Sequence, residues 1–314
     1  MLFKSIKVVK LFKKYLNDLI YSFVKYFAKL LNFRLFTFIN NGPISLFFSK
    51  SFIFVNSRLV SNSQDSASTI KWEDLTDDTK NKFLMDGAAG VTKYFFEKTD
   101  STEIFYDKKI VNKLLKKVRK NAYFYYGETD KYLYESLKDH KINSKEVAIL
   151  GSTLPWYESI VLGQNGRPTT IEYNKINTND NRLKIITYDD LIYKKNKFEF
   201  IFSISSFEHD GLGRYGDNIN PNGDLEAMEY VYENLIADNG KLFLSVPIGK
   251  DQVVFNAHRI YGKKRFFKLI EGFKIINSYG FEEDQFNRYS ESGHLSSKKI
   301  SNHPFQPIFV LQKI

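Results

Sequence analysis

Apolar residues recur at steps of three and four along the start of the chain: Ile6, Val9, Phe12, Leu16, Leu19, Phe23, Phe27 and Leu30. That spacing gathers them on one side of a 3.6-residue helix, and Lys7, Lys10, Lys14 and Lys25 fall mostly on the other. Residues 1–35 therefore read as a basic amphipathic helix. Residues 36–60 are apolar but irregular, broken by Asn40, Asn41, Gly42 and Pro43. Residues 61–69 are polar, lack a period and read as a linker. Residues 61–128 form a linker and helical preface, with a helix expected at 107–120. Another helix follows at 129–141, with Thr129 as its N-cap.

From residue 145 the period changes. Short apolar runs at 147–150, 169–173, 183–187, 198–204 and 241–246 read as strands, the first ending at Gly151 and the last at Pro247. Helical patterns separate them at 155–163 and 224–237, the latter with Asn239-Gly240 as its C-cap signal. A helix at 262–272 and a closing strand pair at 273–281 and 307–312 complete the chain. Alternating strands and helices imply an α/β fold: a Rossmann-like, doubly wound parallel sheet over residues 129–314, covered on both faces. In such sheets a ligand lies beyond the carboxyl ends of the strands, where the strand order reverses.

Composition narrows this reading. The 314 residues are 43% hydrophobic, enough for a sizeable core, and contain no cysteine. Disulfide frameworks, a cysteine nucleophile and thiolate zinc sites are excluded. The net charge of +10 is concentrated at the start, where residues 1–60 hold ten basic residues and one acid, Asp18. Nucleic acid is therefore not the expected partner. The uncharged stretch 35–49 is fifteen residues long with Gly-Pro inside it, short of the about twenty that a bilayer-spanning helix needs. Lysines persist through the apolar positions of residues 1–34, unlike a cleaved signal peptide. Two readings of residues 1–60 stand: an interfacial helix on an anionic membrane surface, or an extension packed on the main domain. The expected location is cytoplasmic, with peripheral membrane contact under the first reading. The 29 Phe and 20 Tyr accompany abundant Lys, Asn and Ile, a pattern of compositional drift, and carry no functional weight.

The residues after each strand hold the candidate chemistry. Gly151 follows the first strand, where it allows close backbone approach or simply makes a tight turn. No G-x-G-x-x-G phosphate cradle is present. Glu172 ends the second strand about twenty residues later, where a carboxylate can accept both hydroxyls of a ribose. Asp189 and Asp190 follow the third and can accept from an adenine amino group, or cap the next short helix. The fourth strand leads into 205–217, which packs Ser205, Ser206, Glu208, His209, Asp210, Arg214, Tyr215 and Asp217 among three glycines. There His209 is a candidate general base and Arg214 an anion clamp, or Glu208 and Arg214 form a structural pair. His258 and Arg259, after the fifth strand, either face the same cleft or serve the following helix. Glu208, His209, Asp210 and His258 match no metal-ligand spacing, so no metal is expected.

The strand order with Gly151 and Glu172 in these places resembles the class I S-adenosylmethionine-dependent methyltransferases, over residues 129–314. The runs 206–217, 221–225, 246–251 and 256–262 look more closely like the domain of unknown function 268 family. The resemblance implies S-adenosylmethionine as cofactor, with Gly151 at its methionine part, Glu172 at the ribose and Asp189 or Asp190 at the adenine. Ser205 and Ser206 would then shape the cleft near the methyl group. It further implies methyl transfer to a small or glycan-linked acceptor, with His209 as base oriented by Glu208, and Arg214 and His258 holding the acceptor. The turn after the first strand departs from the methyltransferase pattern, lacking its second and third glycines. A catalytically inactive scaffold of the same fold at a membrane surface is the alternative. A sugar-nucleotide glycosyltransferase is a third reading, weakened by the lack of a clear D-x-D motif.

Overall fold

A computed structural model describes residues 69–93, 104–124, 126–191, 197–288 and 306–314. The amphipathic block at 1–60 lies outside them. The strands, in chain order, are β1 (Gly90–Lys93), β2 (Ile104–Tyr106), β3 (Glu146–Leu150), β4 (Arg167–Glu172), β5 (Ile176–Thr178) and β6 (Lys184–Thr187). Then follow β7 (Phe198–Ile204), β8 (Ile236–Ser245), β9 (Gln252–Phe255), β10 (His258–Ile260), β11 (Phe273–Tyr279) and β12 (Ile308–Lys313). The described residues all belong to the compact unit Phe54–Ile314.

Seven strands form the central sheet in the order β11-β12-β8-β7-β3-β4-β6. β3 pairs parallel with both β4 and β7, β7 with β8, and β4 with β6. β12 alone runs antiparallel to both its neighbours. This is a Rossmann-like, doubly wound sheet with one antiparallel strand. The order reverses between β3 and β7, so the crevice lies beyond their carboxyl ends.

Period-two alternation explains the two-sided core. Ala148 and Leu150 of β3 face one cluster with Ile171, Ile201, Leu242, Leu244 and Phe309. Val147 and Ile149 face the other with Phe202, Phe243, Trp156 and Ile160. Both faces are apolar because helices cover each one. Burial of each large side chain contributes about 1.5–3 kcal/mol.

The helix Lys108–Val118 starts at Asp107, whose carboxylate accepts from the Lys109 amide at 2.6 Å. It buries Val111, Leu114, Leu115 and Val118, one stripe at helical spacing. The next helix, Glu128–Asp139, is capped by Gly127, not Thr129. Thr129 is buried and its hydroxyl donates to the Gln306 carbonyl at 2.7 Å. The helix Gly223–Tyr230 passes into a π-helical turn ending at Leu235. Asn239-Gly240 is thus no helix cap: it sits within β8, where Phe198 pairs with Ile236 but Phe200 with Lys241. The residues between bulge out, and Asn239 takes a φ of 60°.

The preface is more than a linker. β1 pairs parallel with β9, which pairs antiparallel with β10, and β2 pairs parallel with β5. Neither small sheet shows in the sequence pattern. Trp72 and Phe83 pack against Phe255 edge-on, with ring centroids 5.3 and 5.7 Å away. Among the described residues no helix is long and apolar enough to cross a membrane.

Candidate active site

A cavity of about 370 Å³ opens at the switch between β3 and β7. Its walls bring together the turn after β3 (Gly151 to Leu154), the end of β4 (Glu172 to Asn174) and the loop after β7 (Ser205, Ser206, His209, Asp210, Arg214, Tyr215, Asp217). Elements separated by more than fifty residues converge because parallel strands end together on one edge.

Gly151 has a φ of 67°, in the left-handed region where a Cβ is strained. A Cβ there would also collide with the Ser206 side chain. Glycine is therefore dictated by the turn and by Ser206, which occupies the space beside it, and both line the cavity. Ser205 too is left-handed, with φ 55°. For a residue with a Cβ this stores of order 1 kcal/mol, a feature that gathers at functional sites. Its hydroxyl donates to Glu208 Oε1 at 2.5 Å and accepts from Gln306 Nε2 at 3.2 Å.

Glu172 is half-buried, and its Oε1 accepts from the amides of Tyr173 at 2.9 Å and Asn174 at 3.4 Å. These bonds fix the carboxylate at the cavity wall. Asp190 stands elsewhere. It is exposed, its Oδ2 accepts from the Thr187 hydroxyl at 2.8 Å, and its amide donates back to that oxygen. This local cap fixes the start of a four-residue helix and keeps Asp190 out of the cavity lining. The Asp189 side chain lies outside the described set. Tyr188 lines the cavity from the same turn.

The loop after β7 is held from within by Asp217. Its Oδ2 accepts from the amides of Gly211 at 2.7 Å and Gly213 at 3.2 Å, and its Oδ1 from Tyr215 at 3.2 Å. Gly211 has a φ of 79°, and a Cβ on it would meet the Asn220 carbonyl. From below, the fully buried Arg259 donates to the carbonyls of Asp210, Asn220 and Pro221. Arg265 adds a bond to Pro221 and forks onto Asp224. Asp224 also accepts from Tyr261 at 2.9 Å. Burial works against the Asp224 charge, but Arg259 and Arg265 outweigh it and hold its carboxyl below the usual range. Arg259 thus carries the loop and does not face the cleft.

His209 lines the cavity with 16% of its side chain exposed. Its Nδ1 lies 2.6 Å from the Ala257 carbonyl. A carbonyl only accepts, so Nδ1 carries the proton and Nε2 keeps its lone pair. Burial, then the charge of Arg214, push its pKa down to about 3. Glu208 is not the group that orients this ring: its nearest oxygen is 3.8 Å from Nε2 and is bonded to Ser205. Glu208 is itself buried, outside the cavity lining, and burial pushes its pKa up to about 7. His258 is buried behind His209, with ring centroids 6.3 Å apart, and does not line the cavity. Burial and then Arg214 lower its pKa to about 4. The Arg214 guanidinium lies 4.9 Å from the Tyr215 ring, whose centroid is 5.5 Å from that of His209.

Tyr215 shares an aromatic wall with Tyr126, Tyr157, Tyr173 and Tyr188, which the sequence pattern does not single out. Tyrosine was discounted because it is common throughout the chain, and only the convergence of strand ends singles these out. Nor does the pattern single out Glu158. This fully buried carboxyl accepts from Thr170 at 2.7 Å beneath the β3 turn, and burial lifts its pKa to about 7.

The donor set fits an adenosine-bearing sulfonium ligand in kind: a fixed carboxylate, a glycine turn with amides and an aromatic wall. It includes no phosphate cradle. The profile of the family described as "Caenorhabditis protein of unknown function, DUF268" matches residues 144–314. No curated protein matches the chain. Among solved structures, the chain is similar to the Burkholderia thailandensis 1,6-didemethyltoxoflavin-N1-methyltransferase with bound 1,6-didemethyltoxoflavin and S-adenosylhomocysteine. That likeness has 11% identity and a TM-score of 0.41, and covers 57% of this chain and 75% of the other. The YcgJ protein from Bacillus subtilis is similar at 9% identity and a TM-score of 0.36, over 58% and 97%.

Proposed function

The chain belongs to the DUF268 family, and from that premise we propose that it is an S-adenosylmethionine-dependent methyltransferase acting on an oxygen or nitrogen of a small or glycan-linked acceptor. The observation that supports this reading is the single cavity at the strand-order switch, which joins Glu172 and the Gly151 turn to His209 and Arg214.

In this reading Glu172 accepts from the ribose hydroxyls, the Gly151 turn takes the methionine part, and Tyr188 replaces Asp190 at the adenine side. When bound, the cofactor supplies a methyl group already activated by its positive sulfur. The protein then has two tasks, alignment and proton removal. Ser205 and Ser206 shape the cleft at the acceptor end. His209, held through Nδ1 by the Ala257 carbonyl, offers Nε2 to the acceptor proton. Burial keeps it neutral at physiological pH, so Nε2 carries a lone pair, and the same burial weakens its pull on the proton. Arg214, braced on Tyr215, orients the acceptor.

Calorimetric titration of S-adenosylmethionine into the full chain tests the reading: saturable heat supports it, and its absence removes the enzymatic account. His209→Ala is expected to leave cofactor affinity within about twofold and lower S-adenosylhomocysteine release by about 10²–10⁴-fold with an active hydroxyl- or amine-bearing glycan. An unchanged rate takes His209 out of the mechanism.

A further inference from the structure

Residues 104–106 precede the stretch that defines the family, yet they bond the Ser152 turn and pair with the strand that follows Glu172. Tyr106 ends β2 with 1% of its surface exposed. Its hydroxyl donates to the Ser152 carbonyl at 2.7 Å and lies 3.0 Å from the Ser152 hydroxyl. Ser152 directly follows Gly151 and itself donates to the Leu154 carbonyl at 3.1 Å. The turn after β3 is therefore pinned at its centre by a residue forty-six positions upstream.

The same residue is tied to the other wall. β2 pairs with β5 in the register Tyr106↔Thr178, and the Thr178 hydroxyl donates to the Tyr106 carbonyl at 2.8 Å. β5 begins four residues after Glu172, straight out of the turn that fixes its carboxylate. The Lys108 amide adds a bond to Asn179 at 2.7 Å. Ile104, at the other end of β2, lines the cavity itself. One short strand thus joins the Gly151 turn to β5, the strand that follows Glu172, without contributing a charge.

We propose that Tyr106 is a positioning residue for cofactor binding, holding the Ser152 turn at a fixed distance from Glu172 through its hydroxyl and its backbone. This rests on the S-adenosylmethionine reading above. A turn released from Tyr106 relaxes in the free protein, and the ligand must re-order it on binding, which weakens affinity. Residues before 129 then belong to the binding site and are not a detachable preface.

The test is titration of S-adenosylmethionine into the full chain and its Tyr106→Phe variant, with thermal unfolding followed in parallel. Phe keeps the buried ring and removes only the hydroxyl. The expected result is a Kd raised about tenfold, the scale of one lost hydrogen-bonding group. Equal Kd in both proteins, whatever happens to the unfolding temperature, overturns the proposal and leaves the cofactor reading standing. No heat with the unaltered chain overturns both. Should Tyr106→Phe fail to fold, Thr178→Val, which loosens the backbone tie from the other side, is expected to raise Kd in the same direction; an unchanged Kd there overturns the proposal equally.

Discussion

Replacement of Gly151 by alanine separates two costs that coincide at one atom. The first is conformational: at φ 67° an L-residue sits in the left-handed region, at about 1–2 kcal/mol. The second is steric, because the new methyl overlaps both Oγ and Cβ of Ser206. Overpacking of this kind costs about 1–3 kcal/mol. The sum for Gly151→Ala is about 2–5 kcal/mol. Ser206→Gly removes the obstructing side chain but not the backbone strain, and the Ser206 Cα stays at 3.6 Å, an ordinary contact. Combining the two changes is therefore expected to recover the steric part, about 1–3 kcal/mol of favourable coupling in a double-mutant cycle. Urea unfolding of the full-length wild type, both single variants and the double variant measures it. Additive effects would show that Ser206 does not crowd Gly151. A neutral Gly151→Ala would refute the left-handed turn itself.

Three further outcomes are expected. Glu208 holds its proton more tightly folded, with a pKa of about 7 against 4.5, so its contribution to stability is complete below pH 4.5 and lost as pH rises through 7. Glu208→Gln should therefore gain stability relative to the wild type by about 3 kcal/mol between pH 4.5 and 7, read by urea unfolding at both ends; parallel curves sink the argument. Arg259→Lys exchanges a buried fork serving three carbonyls for one ammonium. It should cost about 2–4 kcal/mol and release amide-exchange protection across residues 210–222, while intact protection there would absolve Arg259. Finally, each lysine at an anionic membrane surface contributes about 1 kcal/mol, so joint Lys7→Glu, Lys10→Glu and Lys14→Glu changes should abolish flotation of the full chain with anionic liposomes; retained flotation dismisses the amphipathic block as the membrane contact.

The main sheet was legible because its strands are continuous apolar runs bounded by glycine, proline and helical patterns. Gly151, Glu172 and the 205–217 loop were legible because parallel strands present their carboxyl ends on one side. What stayed hidden depends on contacts remote in sequence. β9 and β10 look like a polar loop because β10 carries His258 and Arg259, whose burial follows from their neighbours and not from their own polarity. β2 is three residues long and gains its meaning from a partner seventy-two residues away. Glu208 seemed the natural partner of His209 by adjacency, but its Oε1 is taken by Ser205, and the Ala257 carbonyl, forty-eight residues downstream, holds the ring instead. Of its two readings Asp190 takes the cap, for a local reason: a short polar side chain bonds its own turn before it reaches any ligand.

The place of β12 has a consequence for biosynthesis. It follows the other strands of this sheet along the chain, yet it lies inside the sheet, between β8 and β11. Until it emerges, β8 presents an open edge and β11 has no strand to join. The polypeptide must therefore wait, with unpaired backbone exposed, for residues 308–313 to be translated. Chaperones that shield nascent strand edges would act during that interval, and premature termination there would yield a sticky fragment and not a smaller domain.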